Sequence, residues 1–343
     1  MTAPCHVETP RDLIAALDFV DPARVAAARA EALARPIEYA LGSGEADEIA
    51  LYAGLKPLIR QVLPIAQLVT ARARFEALGL AIGVSEHRVT LPSTEGTVLY
   101  VGRNARPVRE AVLYEAMPDH DHELGRLLGY PRCCVEAYLE IAPPRRNVDA
   151  FARAASACEA SGGAFAPRLN IVDLAIFHYV SWLPCSFSCA FSRAFADAVA
   201  DHIAKRHGQF LAPRGRGAAP RIRLRGPSAS CPPGCRHERF VAAIDEAHAA
   251  HRLLLFEDVQ VSLTGAFDGR ELRVDRAWPT ARDRHPEAAI GDEAREAVAH
   301  LVALVEAAGT VSIVDGVLHA GGAAVLHADG AMLLPFGARP RPC

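Results

Sequence analysis

Apolar residues recur at helical spacing through most of the first eighty positions and then give way to short β-type runs. Asp21-Pro22 has the form of an N-cap and first helical residue, and the run Ala23 to Ala34 that follows stops at Pro36. Helices are predicted over Glu45 to Leu55 and over Ile65 to Leu78, the second ending at Gly79, with Pro57 and Pro64 as punctuation between them. From Leu80 the pattern changes: Leu80 to Val84, Arg88 to Leu91 and Thr97 to Val101 read as strands. Helical spacing returns over Arg106 to Glu115, Asp119 to Leu128 before Gly129, Cys134 to Glu140, and Val148 to Ala160 before Ser161-Gly162-Gly163. Leu169 to Trp182 mixes apolar, β-branched and aromatic residues and fits helix or strand. Ser188 to His207 is a long amphipathic helix.

Ala212 to Gly234 is dominated by Pro, Gly, Arg and Ser and reads as a linker, with a short strand at Arg221 to Leu224. Beyond it a helix is expected over His237 to His251 and strands over Leu253 to Phe256, Val259 to Leu263 and Leu272 to Val274. A helix over Gly291 to Ala308 precedes a β meander: Val311 to Val314, Val317 to Ala320, Ala324 to His327 and Ala331 to Leu334. Asp315-Gly316 and Asp329-Gly330 suit tight hairpin turns with positive φ. The fold class is therefore α+β: a helical N-terminal part, a mixed central region and a C-terminal antiparallel sheet with helices. The boundaries fall at residues 1–79, 80–211, a linker at 212–236, and 237–343.

Composition narrows the function. Of 37 basic side chains only Lys56 and Lys205 are lysines, and alanine is abundant, which looks like GC-rich codon usage. The arginine-rich linker is therefore read as solvated, and nucleic-acid binding is not expected. No apolar stretch reaches the ~18 residues of a membrane span, and the N-terminus lacks a basic start with an apolar run. A cytoplasmic protein is expected, with its nine cysteines reduced. No phosphate-binding glycine loop and no nucleophile elbow occurs, so nucleotide binding and serine-hydrolase chemistry gain no support.

The cysteines carry the chemistry. Cys133 and Cys134 are adjacent, follow Pro131, and stand where a helix begins. Free amides and the positive end of the helix dipole there favour thiolate over thiol. Cys185 and Cys189 follow Pro184 ahead of the long helix; if helical, their spacing puts both sulfurs on one face. Two thiols from each segment make four soft ligands, the donor set of zinc or an iron–sulfur cluster. Adjacent cysteines reach different irons of a cluster more easily than they share one ion, which favours iron–sulfur over zinc. Packing alone is the competing explanation for any single buried cysteine.

Leu-Leu-Gly-Tyr-Pro-Arg-Cys-Cys at 127 to 134, followed by Pro184-Cys185 and Cys189, resembles a family of archaeal and bacterial proteins classed as domain of unknown function 483. Its hallmark is a Gly-Tyr-Pro-x-Cys-Cys core with a downstream Pro-Cys-x-x-x-Cys. The likeness spans roughly Asp119 to His207 and implies that Cys133, Cys134, Cys185 and Cys189 form one site, without supplying a reaction.

Asp119-His120-Asp121-His122-Glu123 is rich in potential ligands; His122 and Glu123 are candidate catalytic acid–base residues beside the thiols, against an acidic first turn of a helix. His178 is a candidate ligand or a core histidine. Cys231, Cys235 and His237 form a second candidate metal loop within the linker. The leading reading is a metalloenzyme of redox or biosynthetic chemistry on a small molecule or peptide. A binding or scaffold protein with structural zinc is the alternative, and a metal-free vicinal dithiol at Cys133-Cys134 is the third.

Overall fold

The computed structural model describes residues 37–40, 45–91, 94–141, 146–171, 178–204, 206–211, 221–227, 241–242, 245, 249, 251–256, 259–268, 270–279, 292–314, 317–327 and 332–336. The helix expected over Ala23 to Ala34, the Cys231–Cys235–His237 loop, both Asp-Gly turns and most of the helix expected over His237 to His251 lie outside the described residues. The described chain is α+β with three antiparallel sheets.

The first sheet has the order β2-β4-β3, formed by Leu58–Pro64, Thr94–Gly102 and Ala81–Leu91 respectively. The central strand β4 is buried on both faces, and its side chains alternate between two cores. Leu99 and Val101 meet Leu51, Ile59 and Phe75, whereas Val98 and Tyr100 meet Val108, Ala111 and Leu128. Leu51 comes from helix α1 (Glu45–Ala53), Phe75 from α2 (Leu68–Ala77), and Val108 and Ala111 from α3 (Ala105–Ala116). The sheet is thus sandwiched between helices.

Strand β2 and the short strand β1 (Ile37–Ala40) fall inside the stretch expected to be helical. Local pattern missed β2 because its partner β4 arrives some forty residues later. Only that non-local pairing decides that Leu58, Ile59 and Leu63 face inward while Arg60 faces solvent. The two β runs expected between Leu80 and Leu91 form one strand, β3, with an irregularity between Val84 and Arg88.

Helix α4 (Asp121–Leu127) leads to α5 (Arg132–Leu139) and α6 (Arg146–Ala160), and α7 (Ala190–Ala204) follows the second cysteine segment. The helix expected to run from Ser188 to His207 is shorter at both ends. Residues Arg206–Leu211 form β5, which joins β6 (Arg221–Pro227) and β1 in a sheet of order β1-β6-β5. Strand β6 contains the short strand expected within the linker-like segment.

The third sheet has the order β12-β11-β10-β9-β8-β7-β13, from β7 (His251–Phe256), β8 (Val259–Phe267), β9 (Glu271–Pro279), β10 (Thr310–Val314), β11 (Val317–Ala320), β12 (Ala323–His327) and β13 (Met332–Pro335). Val314 pairs with Val317, the register of the two-residue hairpin expected at Asp315-Gly316. β12 does not form the second expected hairpin: β13 pairs with β7 at the opposite edge. Seven strands laid flat at about 4.8 Å spacing span about 29 Å, yet His327 and Met332 are joined by five Cα steps, at most about 19 Å. The sheet must therefore curl until its edges approach, and β13 does contact β10. Helix α8 (Asp292–Ala308) packs Val298, Leu301 and Val305 against Val261, Leu263, Leu272, Val311 and Leu318.

β13 faces two cores. Leu333 packs with the α8 cluster, while Leu334 and, just beyond the strand, Phe336 join the main core that contains Cys134 and Cys189. Phe336 meets Phe187, which lies between Cys185 and Cys189, with ring centroids 4.8 Å apart. Through this edge the C-terminal sheet braces the second cysteine segment.

Candidate metal centre

Leu128 caps the C-terminus of helix α4, and Gly129 follows with φ 75°. Gly129 N–H donates to the Arg126 carbonyl and Tyr130 N–H to the Gly125 carbonyl, both at 3.0 Å. These crossed bonds are a Schellman stop, for which a glycine at the left-handed position is the least strained choice. The reversal delivers Pro131 as the N-cap of α5, with φ −59° and ψ 133°. The Pro131 carbonyl then accepts from Cys134 and Val135 N–H. Helix α5 opens at Arg132, two residues earlier than the sequence predicts, so both cysteines lie in its first turn at the positive end of the dipole.

The second pair is placed by a loop rather than by a helix. Helix α7 begins at Ala190, and Cys185 and Cys189 lie in the turn before it, so the one-face helical spacing expected for them does not apply. Phe187 anchors the turn: its N–H points to the Ala154 carbonyl at 3.4 Å, its carbonyl accepts from Ala166 at 3.0 Å, and its ring is fully buried. Cys189 N–H closes onto the Ser186 carbonyl at 2.9 Å, and the Cys189 carbonyl accepts the Arg193 N–H of α7.

The four sulfurs of Cys133, Cys134, Cys185 and Cys189 all lie within 4.8 Å of one another, a group able to hold a metal ion. Cys133 and Cys134 are 4.0 Å apart, Cys133 and Cys189 4.0 Å, and Cys134 and Cys189 3.9 Å. A tetrahedron with metal–sulfur bonds of about 2.3 Å has edges of about 3.8 Å. Cys134 and Cys189 are buried, and Cys133 and Cys185 are partly exposed. Cys134 Sγ accepts the Cys185 N–H at 3.3 Å and lies 3.4 Å from Ser192 Oγ. Ser192 Oγ in turn accepts from Trp182 Nε1 at 3.0 Å, which leaves its own proton for the sulfur. Both bonds favour charge on Cys134 once a metal has displaced its proton.

Without metal the group favours one thiolate, on Cys189, and opposes ionisation of Cys133 and Cys134. Hydrogen bonds from Cys133, Cys134 and Cys185 hold the Cys189 thiol well below its usual range. Cys134 is pushed well above its usual range by its bonds with Cys133, Cys185 and Cys189, and by burial. At Cys133 the bond with Cys134 acts downward but is outweighed by those with Cys185 and Cys189 and by burial, so this thiol is also pushed up. Cys133 and Cys134 therefore enter metal binding protonated at neutral pH and must each lose a proton. Zinc titrated into weakly buffered, metal-free protein at pH 7 is expected to release at least about two protons per ion. The apparent affinity is expected to rise with pH, because higher pH removes those protons beforehand. A titration with no proton release contradicts this arrangement.

His122 and Glu123 are exposed in the first turn of α4 and lie outside the sulfur group, as does the buried His178. Cys158 is buried and points to the Gly163 carbonyl at 3.4 Å, also outside the group. Sequence reasoning did not single out Ser192, although it stands three residues beyond Cys189, where helical spacing brings it back toward the site. It also passed over Lys56 and Asp47. Lys56 has no exposed side-chain surface and pairs with Asp47 at 2.7 Å. Burial pushes its ammonium below the usual lysine range, and the Asp47 carboxylate opposes that shift. The one signal was compositional: a lysine in a chain that otherwise uses arginine for nearly all its positive charge.

A crevice beside Cys134 and Cys185, lined by Tyr138, Arg153, Leu183 and Pro184 among others, is of about water size. Ordinary ligand pockets run to about 300–1,000 Å³. Among the described residues no helix is long and apolar enough to cross a membrane. Comparison with family models, curated proteins and solved structures finds no match for this chain, so the centre is defined by its own geometry.

Proposed function

We propose that the protein is a metalloprotein holding one tetrahedral ion, zinc, on the thiolates of Cys133, Cys134, Cys185 and Cys189, and that the ion joins two segments of the fold. The observation that carries this reading is the mutual approach of the four sulfurs to within 4.8 Å. That spacing is close to the edge of a single-ion tetrahedron, whereas a polynuclear cluster spreads its thiolates over several irons and holds them further apart. It reverses the preference for iron–sulfur that cysteine adjacency alone gave. Four protein ligands leave no open position, the mark of a structural rather than a catalytic zinc site, and the water-sized crevice at the thiols supports the same reading. We take the likeness to domain of unknown function 483 to reflect this shared site. A reducing, cytoplasmic setting belongs to the reading, because the ligands must stay as thiolates.

Metal analysis of anaerobically purified protein tests the proposal. The expected result is a colourless protein with about one zinc per chain. A brown preparation, with broad visible absorption and several irons and sulfides per chain, overturns zinc in favour of the cluster and restores the redox-enzyme reading. Because His122 and Glu123 are exposed outside the sulfur group, His122→Ala and Glu123→Gln are expected to retain the parent's metal content. Loss of metal from either brings that residue into the ligand environment.

A further inference from the structure

We infer that Lys56, ion-paired to Asp47, is a positioning residue for the metal centre, clamping together the two chain segments that supply its four thiolates. The inference rests on the single-ion reading above and goes beyond it to a residue that ligates nothing. Lys56 Nζ donates to Asp47 Oδ1 at 2.7 Å and to Ser181 Oγ at 3.1 Å. It also stands 4.7 Å above the Tyr130 ring and 5.9 Å from the Trp182 ring. Tyr130 precedes Cys133 by three residues, and Ser181 and Trp182 precede Cys185 by four and three. One ammonium therefore touches the approach to both cysteine pairs. Its cation–π contact faces one segment and a hydrogen bond faces the other.

The clamp continues to the sulfurs. Trp182 donates to Ser192, and Ser192 lies 3.4 Å from Cys134 Sγ. The backbone beside Lys56 is fitted to the same reversal: a Cβ on Gly129 would come within 3.1 Å of Pro57 Cδ. Burying an ammonium is costly, and a leucine would fill the core without that cost. The lysine's shape explains why it stays: a compact point charge reaches carboxylate, hydroxyl and ring at once, where a planar guanidinium has a fixed fork.

Parent protein is compared with Lys56→Met, with the double variant Asp47→Leu/Lys56→Met, and with Ser181→Ala. The readouts are zinc release to a chelator, thiolate-to-cobalt charge-transfer absorption per bound cobalt(II), and melting of the metal-free protein. Lys56→Met alone leaves Asp47 buried and unpaired and is expected to melt lower. The double variant exchanges the pair for apolar groups and is expected to recover melting near the parent's. It should nonetheless release zinc at least about tenfold faster, in line with losses of supporting contacts at other metal sites. Its charge-transfer absorption should fall by about a quarter as one of the four thiolates swings away.

A double variant with parent-like release and absorption overturns the proposal and leaves Lys56 as core filling. Ser181→Ala removes the Ser181 hydrogen bonds to Lys56 and to Tyr130, both of which bridge toward the first cysteine segment, and spares the ion pair, so it decides the matter if the double variant does not fold. Faster release from it supports the clamp, and a parent-like rate overturns it. A parent that binds no metal removes the single-ion reading itself, and the clamp with it. That outcome is distinct from a metal-bound parent whose variants behave normally.

Discussion

Replacing Cys134 by serine is expected to empty the metal centre and to lower the melting temperature of the anaerobically purified protein by at least about 6–10 °C. Structural zinc contributes about 10–16 kcal/mol of apparent binding free energy in small zinc domains. Emptying the centre forfeits that contribution, and even a third of it, about 3–5 kcal/mol, sets a floor for the shift at about 2 °C per kcal/mol for a chain of this size. The substitution is nearly isosteric, so packing at this buried position changes little and the loss reports the ligand. Cys158→Ser serves as the control: its thiol is equally buried but faces the Gly163 carbonyl and lies outside the sulfur group. It is expected to keep full metal, measured by mass spectrometry of the metal content, while calorimetry reads the melting temperature. If Cys134→Ser retains full metal, or the parent holds none, the metal centre is refuted and the vicinal-dithiol alternative leads. Mild oxidation should then consume two thiols, and alkylating Cys133 and Cys134 should abolish the effect.

Gly265→Ala is expected to destabilise the C-terminal sheet by about 3 kcal/mol, the upper end of the usual cost of a forced backbone shift. Gly265 lies at the irregularity between Thr264 and Gly265 where β8 meets β9, with φ 157°. A Cβ there would stand 1.9 Å from the Arg273 carbonyl oxygen and 2.9 Å from its carbon, both backbone atoms of the partner strand. Neither can rotate away as a side chain would, so the strands must separate locally. Denaturant unfolding followed by circular dichroism measures the loss. Metal content should remain at the parent's level, since the sulfurs are held by the first turn of α5 and by the turn before α7. An unchanged midpoint contradicts the close approach of β8 and β9 at this point.

Features decided within a few residues were legible in the sequence. Gly79, Gly129 and Gly162 each end a helix where glycine was read as a stop, because the left-handed residue acts through hydrogen bonds to the turn just before it. The β10–β11 hairpin was legible for the same reason: two residues set its register. The convergence of the two cysteine pairs was legible as chemistry, since two Pro-preceded pairs of soft donors at chain breaks suit one shared site.

What joins distant residues was not legible. β2 was hidden because its inward face exists only once β4 lies beside it. The placement of β13 beside β7 depends on the curl of the whole seven-stranded sheet, which no turn signal encodes. Cys185 and Cys189 approach through a loop pinned by Phe187 against Ala154 and Ala166, not through the helical spacing that their separation implied. Lys56, alone in its segment, became significant only when the fold brought Asp47, Ser181, Tyr130 and Trp182 around one ammonium. By itself the sequence determined the donor set, the α+β class and the local stops, because propensity, capping and ligand chemistry act over a few bonds. The sulfur spacing, and the buried lysine that backs it, were decided by the tertiary structure, because they arise from contacts between segments some fifty to more than a hundred residues apart.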